Sequence, residues 1–243
     1  MDGFSLKRYQ VPVRFCRLKA VPGTALAIDI VKIITYNTAD KTAIKSAKKG
    51  DIMTNTNRDK VKIMTVSALL CALGILIPLA FPGIRLEPAS FTLTSHVPVM
   101  IAMFISPTVA AFVASVSTFG FLVAGFPIVV VLRALTHLIF SLIGAFILKK
   151  SRHMLQSLKS TALFALLISL IHGAAEVAVV TYFYWVSGMP IGYYDKGFFI
   201  SVILLVGVGT FLHSLLDFSI AIFVWKPLQK VISIPANAKV KVK

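Results

Sequence analysis

Six ionisable residues interrupt otherwise apolar sequence: Arg133 and His137, His172 and Glu176, His213 and Asp217. Each pair is spaced i, i+4, which on a helix places both members on one face. An ionisable group at membrane depth costs about 3 kcal/mol on insertion scales unless it is paired or hydrated, so each marks a functional position by default. Arg133 carries the planar guanidinium best suited to clamp a carboxylate, against the plainer reading that it reaches back to the outer headgroups. His172–Glu176 and His213–Asp217 each read equally as an intrahelical pair that orders a bundle, and for the deeper His213–Asp217 that structural reading is the expected one. The aromatic run Tyr182, Tyr184 and Trp185, with Tyr193 and Tyr194 beyond it, has the composition of an interfacial belt. One or two of its rings, Tyr182 foremost, are placed to stack on a flat ligand.

Several chemistries are excluded or disfavoured. His96, His137, His172 and His213 fall on separate elements, with no cysteine or acidic cluster at ligand spacing, so no metal site is expected. There is no Gly-x-Ser-Gly setting for a nucleophile and no paired glutamate, which disfavours an intramembrane hydrolase. There is also no Walker A sequence, so the chain cannot itself hydrolyse ATP and no cofactor is expected in it.

The elements that must hold these residues are dictated by composition. The chain has 243 residues, 57% hydrophobic and 14% charged, with two cysteines and a net charge of +16. Its mean hydropathy is +0.87. Soluble domains carry about a quarter charged residues. The reading is an all-α integral membrane protein, with its basic excess held on the cytoplasmic side rather than spent on nucleic acid. Apolar runs occupy about Ile63–Phe81, Val97–Ile105, Val109–Ala124, Ile128–Leu148, Thr161–Val186 and Phe198–Trp225. The second is shorter than the roughly 20 residues a span needs; it either recruits Thr92–His96 or remains a half-span. Arg58, Lys60 and Lys62 precede the first run; Lys149, Lys150, Arg152 and Lys159 lie between the fourth and fifth; Lys226 and Lys230 follow the sixth. Such placement predicts a six-transmembrane-helix bundle with both termini cytoplasmic.

Residues 53–232 form this membrane domain and residues 233–243 a basic cytoplasmic tail. Residues 1–52 conform to neither. They scatter ten basic residues through sequence without helical or strand period, and the patch Ala25–Ile34 is broken by Asp29 and Lys32. Lys48-Lys49-Gly50-Asp51-Ile52 directly precedes Met53. Codons of the type AAA AAA GGA GAT would make that stretch a ribosome-binding site. The expectation is a mis-assigned start with the mature chain beginning at Met53; the alternative is a disordered basic tail.

Ala68 and Ala72, four apart on the first run with Ser67 and Gly74 nearby, make a strip where another helix can approach closely. Taken with the polar outer connection after that run and the stretch His96–Pro107, the membrane portion resembles the substrate-binding S components of energy-coupling factor (ECF) vitamin transporters. The segment Gly125-Phe126-Pro127-Ile128-Val129, followed by Leu132–His137, is most similar to their niacin-specific group. The resemblance implies a subunit of the bacterial cell membrane that captures a small water-soluble vitamin, niacin first, at the outer face. It would topple to carry the vitamin inward, driven by a T component docked on Ala68 and Ala72 and by two ATP-binding subunits. It further implies ligand contacts from Arg133, His137, Glu176 and His172, with Arg85, Glu87 and His96 near a closing loop. Physical chemistry fits nicotinate to that set: Arg133 for the carboxylate, His137 or Glu176 for the ring nitrogen. The competing readings are an S component for another vitamin or a tryptophan-like substrate, or a stand-alone secondary carrier using Glu176 and Asp217 for ion coupling.

Overall fold

The computed structural model describes residues 57–81, 83–86, 89–186, 189, 192, 194–232 and 234–241. The expected leader 1–52 and Glu87 lie outside the described residues, as does Tyr193. Among the described residues there are six helices: α1 (Asn57–Ala80), α2 (Val97–Ile105), α3 (Pro107–Val123), α4 (Ile128–Lys150), α5 (Leu158–Trp185) and α6 (Phe199–Val231). Between α1 and α2 lies a short antiparallel hairpin, β1 (Ile84–Leu86) and β2 (Ala89–Phe91), in the register Ile84↔Phe91, Arg85↔Ser90 and Leu86↔Ala89. The hairpin is an addition to the helical body that composition alone demanded.

Helices α1, α4, α5 and α6 are long and apolar enough to cross a membrane. Their large apolar side chains point outward in numbers that water would not tolerate: Phe223 is 77% exposed, Trp185 and Met64 70% each. The interior is organised around α2, whose nine residues are all buried. At about 1.5 Å rise per residue this helix is far shorter than a bilayer core. It does not recruit Thr92–His96. Those residues form a turn in which Thr94 takes a left-handed φ of 70°, so α2 starts part-way down the bundle and the space above it is left open.

Local sequence fixes the other joints. Ser106 ends α2 and caps α3, its hydroxyl accepting from the Val109 N–H at 3.2 Å, with Pro107 at the first helical position where no N–H is missed. At the far end of α3, Gly125 takes φ +78°, the Phe126 N–H donates to the Phe121 carbonyl, and the Gly125 N–H donates to that of Leu122. This is a Schellman closure, open to glycine because it has no Cβ to clash. Pro127 then starts α4, so the turn sets where Phe126 and Arg133 point. The first ten residues of α6, Phe199–Val208, wind as a π-helix. Gly209 follows, and a Cβ there would meet the ring of Phe91 at 2.6 Å, so glycine lets β2 approach.

The tail is bound at the end of the bundle away from the hairpin. The N–H groups of Asn237 and Ala238 donate to the last carbonyls of α2, Ile105 and Phe104, each at 3.0 Å. The Trp225 indole donates to the Ala238 carbonyl, and Gln229 makes two hydrogen bonds with the Val240 backbone. The C-terminus of α2 and that of α6 therefore lie together.

Candidate ligand site

A cavity of about 600 Å³ opens between the hairpin and the helix ends. Its mouth is formed by Pro78–Phe81 at the end of α1, Phe91 of β2, and Phe121 and Phe126 around the α3–α4 turn. Lower down it is lined by His96 at the start of α2, Arg133 and His137 of α4, Glu176 of α5, and Thr210 and His213 of α6. The polar stripes of α4, α5 and α6 converge on one hollow.

At its centre, Arg133 Nε and Nη2 both donate to Glu176 Oε2, at 3.0 and 2.7 Å, and the Thr210 hydroxyl donates to the same oxygen at 2.7 Å. Arg133 is 8% exposed and Glu176 2%, so the two charges are buried together, the arrangement in which mutual pairing is mandatory. The direct pair puts Arg133 and Glu176 at a shared depth, although Arg133 lies nearer the end of its helix than Glu176 does. Helix ends are an unreliable ruler when helices are staggered. Glu176 occupies two nitrogens of the guanidinium, and among the described residues Nη1 has no hydrogen-bond partner.

Asp217 serves the turn between β2 and α2. Its Oδ1 accepts from the Thr94 N–H at 2.8 Å, and its Oδ2 accepts from the His96 N–H at 2.9 Å and contacts His96 Nδ1 at 3.0 Å. His213 Nε2, the partner expected from i, i+4 spacing, is more distant at 3.4 Å. The structural reading of Asp217 holds, with its main partner corrected from its own helix to the residues entering α2. A carboxylate at that place also meets the positive end of the α2 dipole.

The histidines are gathered, not spread. His96 lies at ring-centroid distances of 4.8 Å from His137, 4.6 Å from His172 and 5.0 Å from His213, and His137 is 5.1 Å from His172. The premise that separate elements keep them apart is thereby corrected: four elements meet at one level, and sequence distance says nothing about that. His96, His137, His172 and Glu176 together, or His96, His213 and Asp217, have the donor types that hold a metal ion.

No family model matches the sequence, and no solved structure matches it. The chain is 38% identical over 191 residues to the niacin transporter NiaX of Lactococcus lactis subsp. cremoris strain MG1363, covering 78% of this chain and 84% of that protein. The chain belongs to the NiaX family of transporters. With its apolar helices, this makes it a multi-pass membrane protein.

In this NiaX-family member the other sequence candidates fall as follows. Arg85 sits on β1 opposite Ser90. Tyr182 is 64% exposed with its ring against Phe183 and does not line the cavity. Phe91, Phe121 and Phe126 are the aromatic walls, and Phe121 and Phe126 lie 4.9 Å apart by ring centroids. Sequence reasoning passed over them because phenylalanine in an apolar run carries no polar flag; adjacency to Gly125 was the signal available for Phe126. His172 is in the cluster but shielded from the cavity by its neighbours. Ala68 and Ala72 are exposed on α1, whereas Ser67 and Cys71 face the bundle.

Proposed function

We propose that this chain is the substrate-binding S component of an ECF-type importer and that its ligand is niacin, bound as nicotinate. The observation that carries the reading is the 38% identity to a niacin transporter, joined to a cavity in the usual volume range for small-ligand sites, roughly 300–1,000 Å³. Nicotinate is a flat ring with one carboxylate and one ring nitrogen. Arg133 Nη1 receives the carboxylate, while Glu176 and Thr210 fix the guanidinium plane in advance. The ring lies among the phenylalanines of the mouth, and its nitrogen faces His137 or His96.

The topology that goes with this reading has six crossings. α2 descends from the hairpin to the level of the tail, and α3 returns to the mouth. The basic residues at the start of α1, the end of α4 and the end of α6 lie on the face opposite the cavity, which supports cytoplasmic termini and an external mouth. Ala68 and Ala72 then face lipid and the T component, and two ATP-binding subunits supply the energy for carrying the vitamin inward. A secondary carrier would couple to an ion through a carboxylate without a fixed counter-charge; Asp217 is engaged through both oxygens, and Glu176 is ion-paired with Arg133.

Equilibrium binding to the purified chain tests the reading. Nicotinate binds, and nicotinamide, which lacks the carboxylate, binds roughly 10–100-fold more weakly, the worth of a charged hydrogen bond. Arg133→Lys keeps the charge beside Glu176 but loses the third nitrogen of the fork, and narrows that difference. Equal affinity of the native chain for the two compounds removes the arginine clamp; no binding of either removes the niacin assignment.

A further inference from the structure

We propose that His96, His137, His172 and Glu176 bind one divalent transition-metal ion of the zinc type beneath the ligand cavity. One donor atom from each lies within 4.8 Å of all the others. Three imidazoles and one carboxylate suit zinc, cobalt or nickel, whereas magnesium and calcium require oxygen.

Four features of the site point to an ion rather than to stacked rings. His172 is fully buried, yet its Nδ1 has no hydrogen-bond partner and its Nε2 meets only Glu176 Oε1, at a long 3.3 Å. An imidazole carries one lone pair and one N–H, and burying either unmet is unfavourable. The two oxygens of Glu176 are divided in function: Oε2 takes Arg133 and Thr210, leaving Oε1 at 3.3 Å from His172 Nε2 and 4.0 Å from His137 Nε2. His96 Nδ1 is held by Asp217 at 3.0 Å, which directs the lone pair of Nε2 elsewhere. A carboxylate behind a histidine is the usual support of a metal-binding imidazole. Lastly, His96, His137 and Glu176 border the cavity while His172 lies behind them, so an ion reaches the four donors from the cavity side. The inference goes beyond the niacin reading and is tested without the vitamin, so either can fail alone.

The full chain, purified in detergent with a tag free of histidine and stripped with chelator, is titrated with Zn²⁺ by calorimetry and with Co²⁺ by visible absorption. One ion per chain and an intense tetrahedral cobalt band are expected. His137→Ala and His172→Ala each weaken zinc binding by more than about tenfold, while His153→Ala, altering the exposed fifth histidine, leaves it unchanged. Where a variant loses its helical spectrum, the cobalt spectrum of the unaltered chain decides. The proposal is overturned by the absence of stoichiometric binding, by a pale octahedral spectrum, or by folded His137 and His172 variants that keep full affinity.

Discussion

Asp217 organises the floor of the site. It holds two backbone N–H groups and one imidazole, and one of those N–H groups belongs to Thr94, a β-branched residue in the left-handed region, where such residues are rarely stable. Asp217→Asn keeps the shape but replaces one accepting oxygen with a donor that faces N–H groups. A loss of about 1–3 kcal/mol follows, read as a melting temperature lower by several degrees for a chain of this size. Thr94→Gly in the native background relieves the backbone and raises it. An Asp217→Asn protein as stable as the parent would show that the turn is held by other contacts. The residue types and helical faces of this site were legible because ionisable groups stand out in apolar sequence. Their partners were not, since Asp217 turns from the histidine four residues away to a turn 121 to 123 residues distant, a choice made by tertiary packing alone.

The short α2 and the α3–α4 turn are the elements that create a hollow. A second helix of ordinary length would fill the volume above His96; here the chain re-enters as a hairpin and turn, and α2 begins beneath the cavity. Sequence showed that the second apolar run was too short, but not which resolution applied, because both continuations place His96 near an end. The turn at Gly125 aims Phe126 and, through α4, Arg133. Gly125→Ala forces a Cβ into the left-handed region at about 1–2 kcal/mol and shifts the start of α4. Nicotinate affinity falls and the melting temperature drops by a few degrees, whereas Phe119→Ala, on the exposed side of the same helix, leaves affinity unchanged. Equal effects of the two substitutions would mean that α3 is responding to general loss of packing and that the turn has no aiming role.

At the scale of the molecule, the two ends of the bundle carry different work. The mouth end gathers the hairpin, the phenylalanines and the cavity; the other end gathers lysine and arginine and the tail bound across α2 and α6. Between them α1 presents two faces. Ser67, Leu70 and Cys71 pack inward, while Ala68 and Ala72 are exposed with Leu69, Leu73 and Leu76. Lipid alone would accept any apolar side chain at Ala68 and Ala72, but a helix docking closely requires small ones. Ala68→Trp and Ala72→Trp should therefore separate two properties that a damaged fold would lose together. Nicotinate binding to the purified chain stays at the parental level, because neither alanine borders the cavity. On the proposed S-component function, ATP-driven uptake in cells supplied with the T component and ATP-binding subunits falls to background, and those subunits no longer co-purify. Leu163→Trp, an equally bulky change at an exposed position on α5, leaves uptake intact. If both alanine variants transport normally, the exposed strip of α1 faces lipid only and the coupling surface must be sought on another helix.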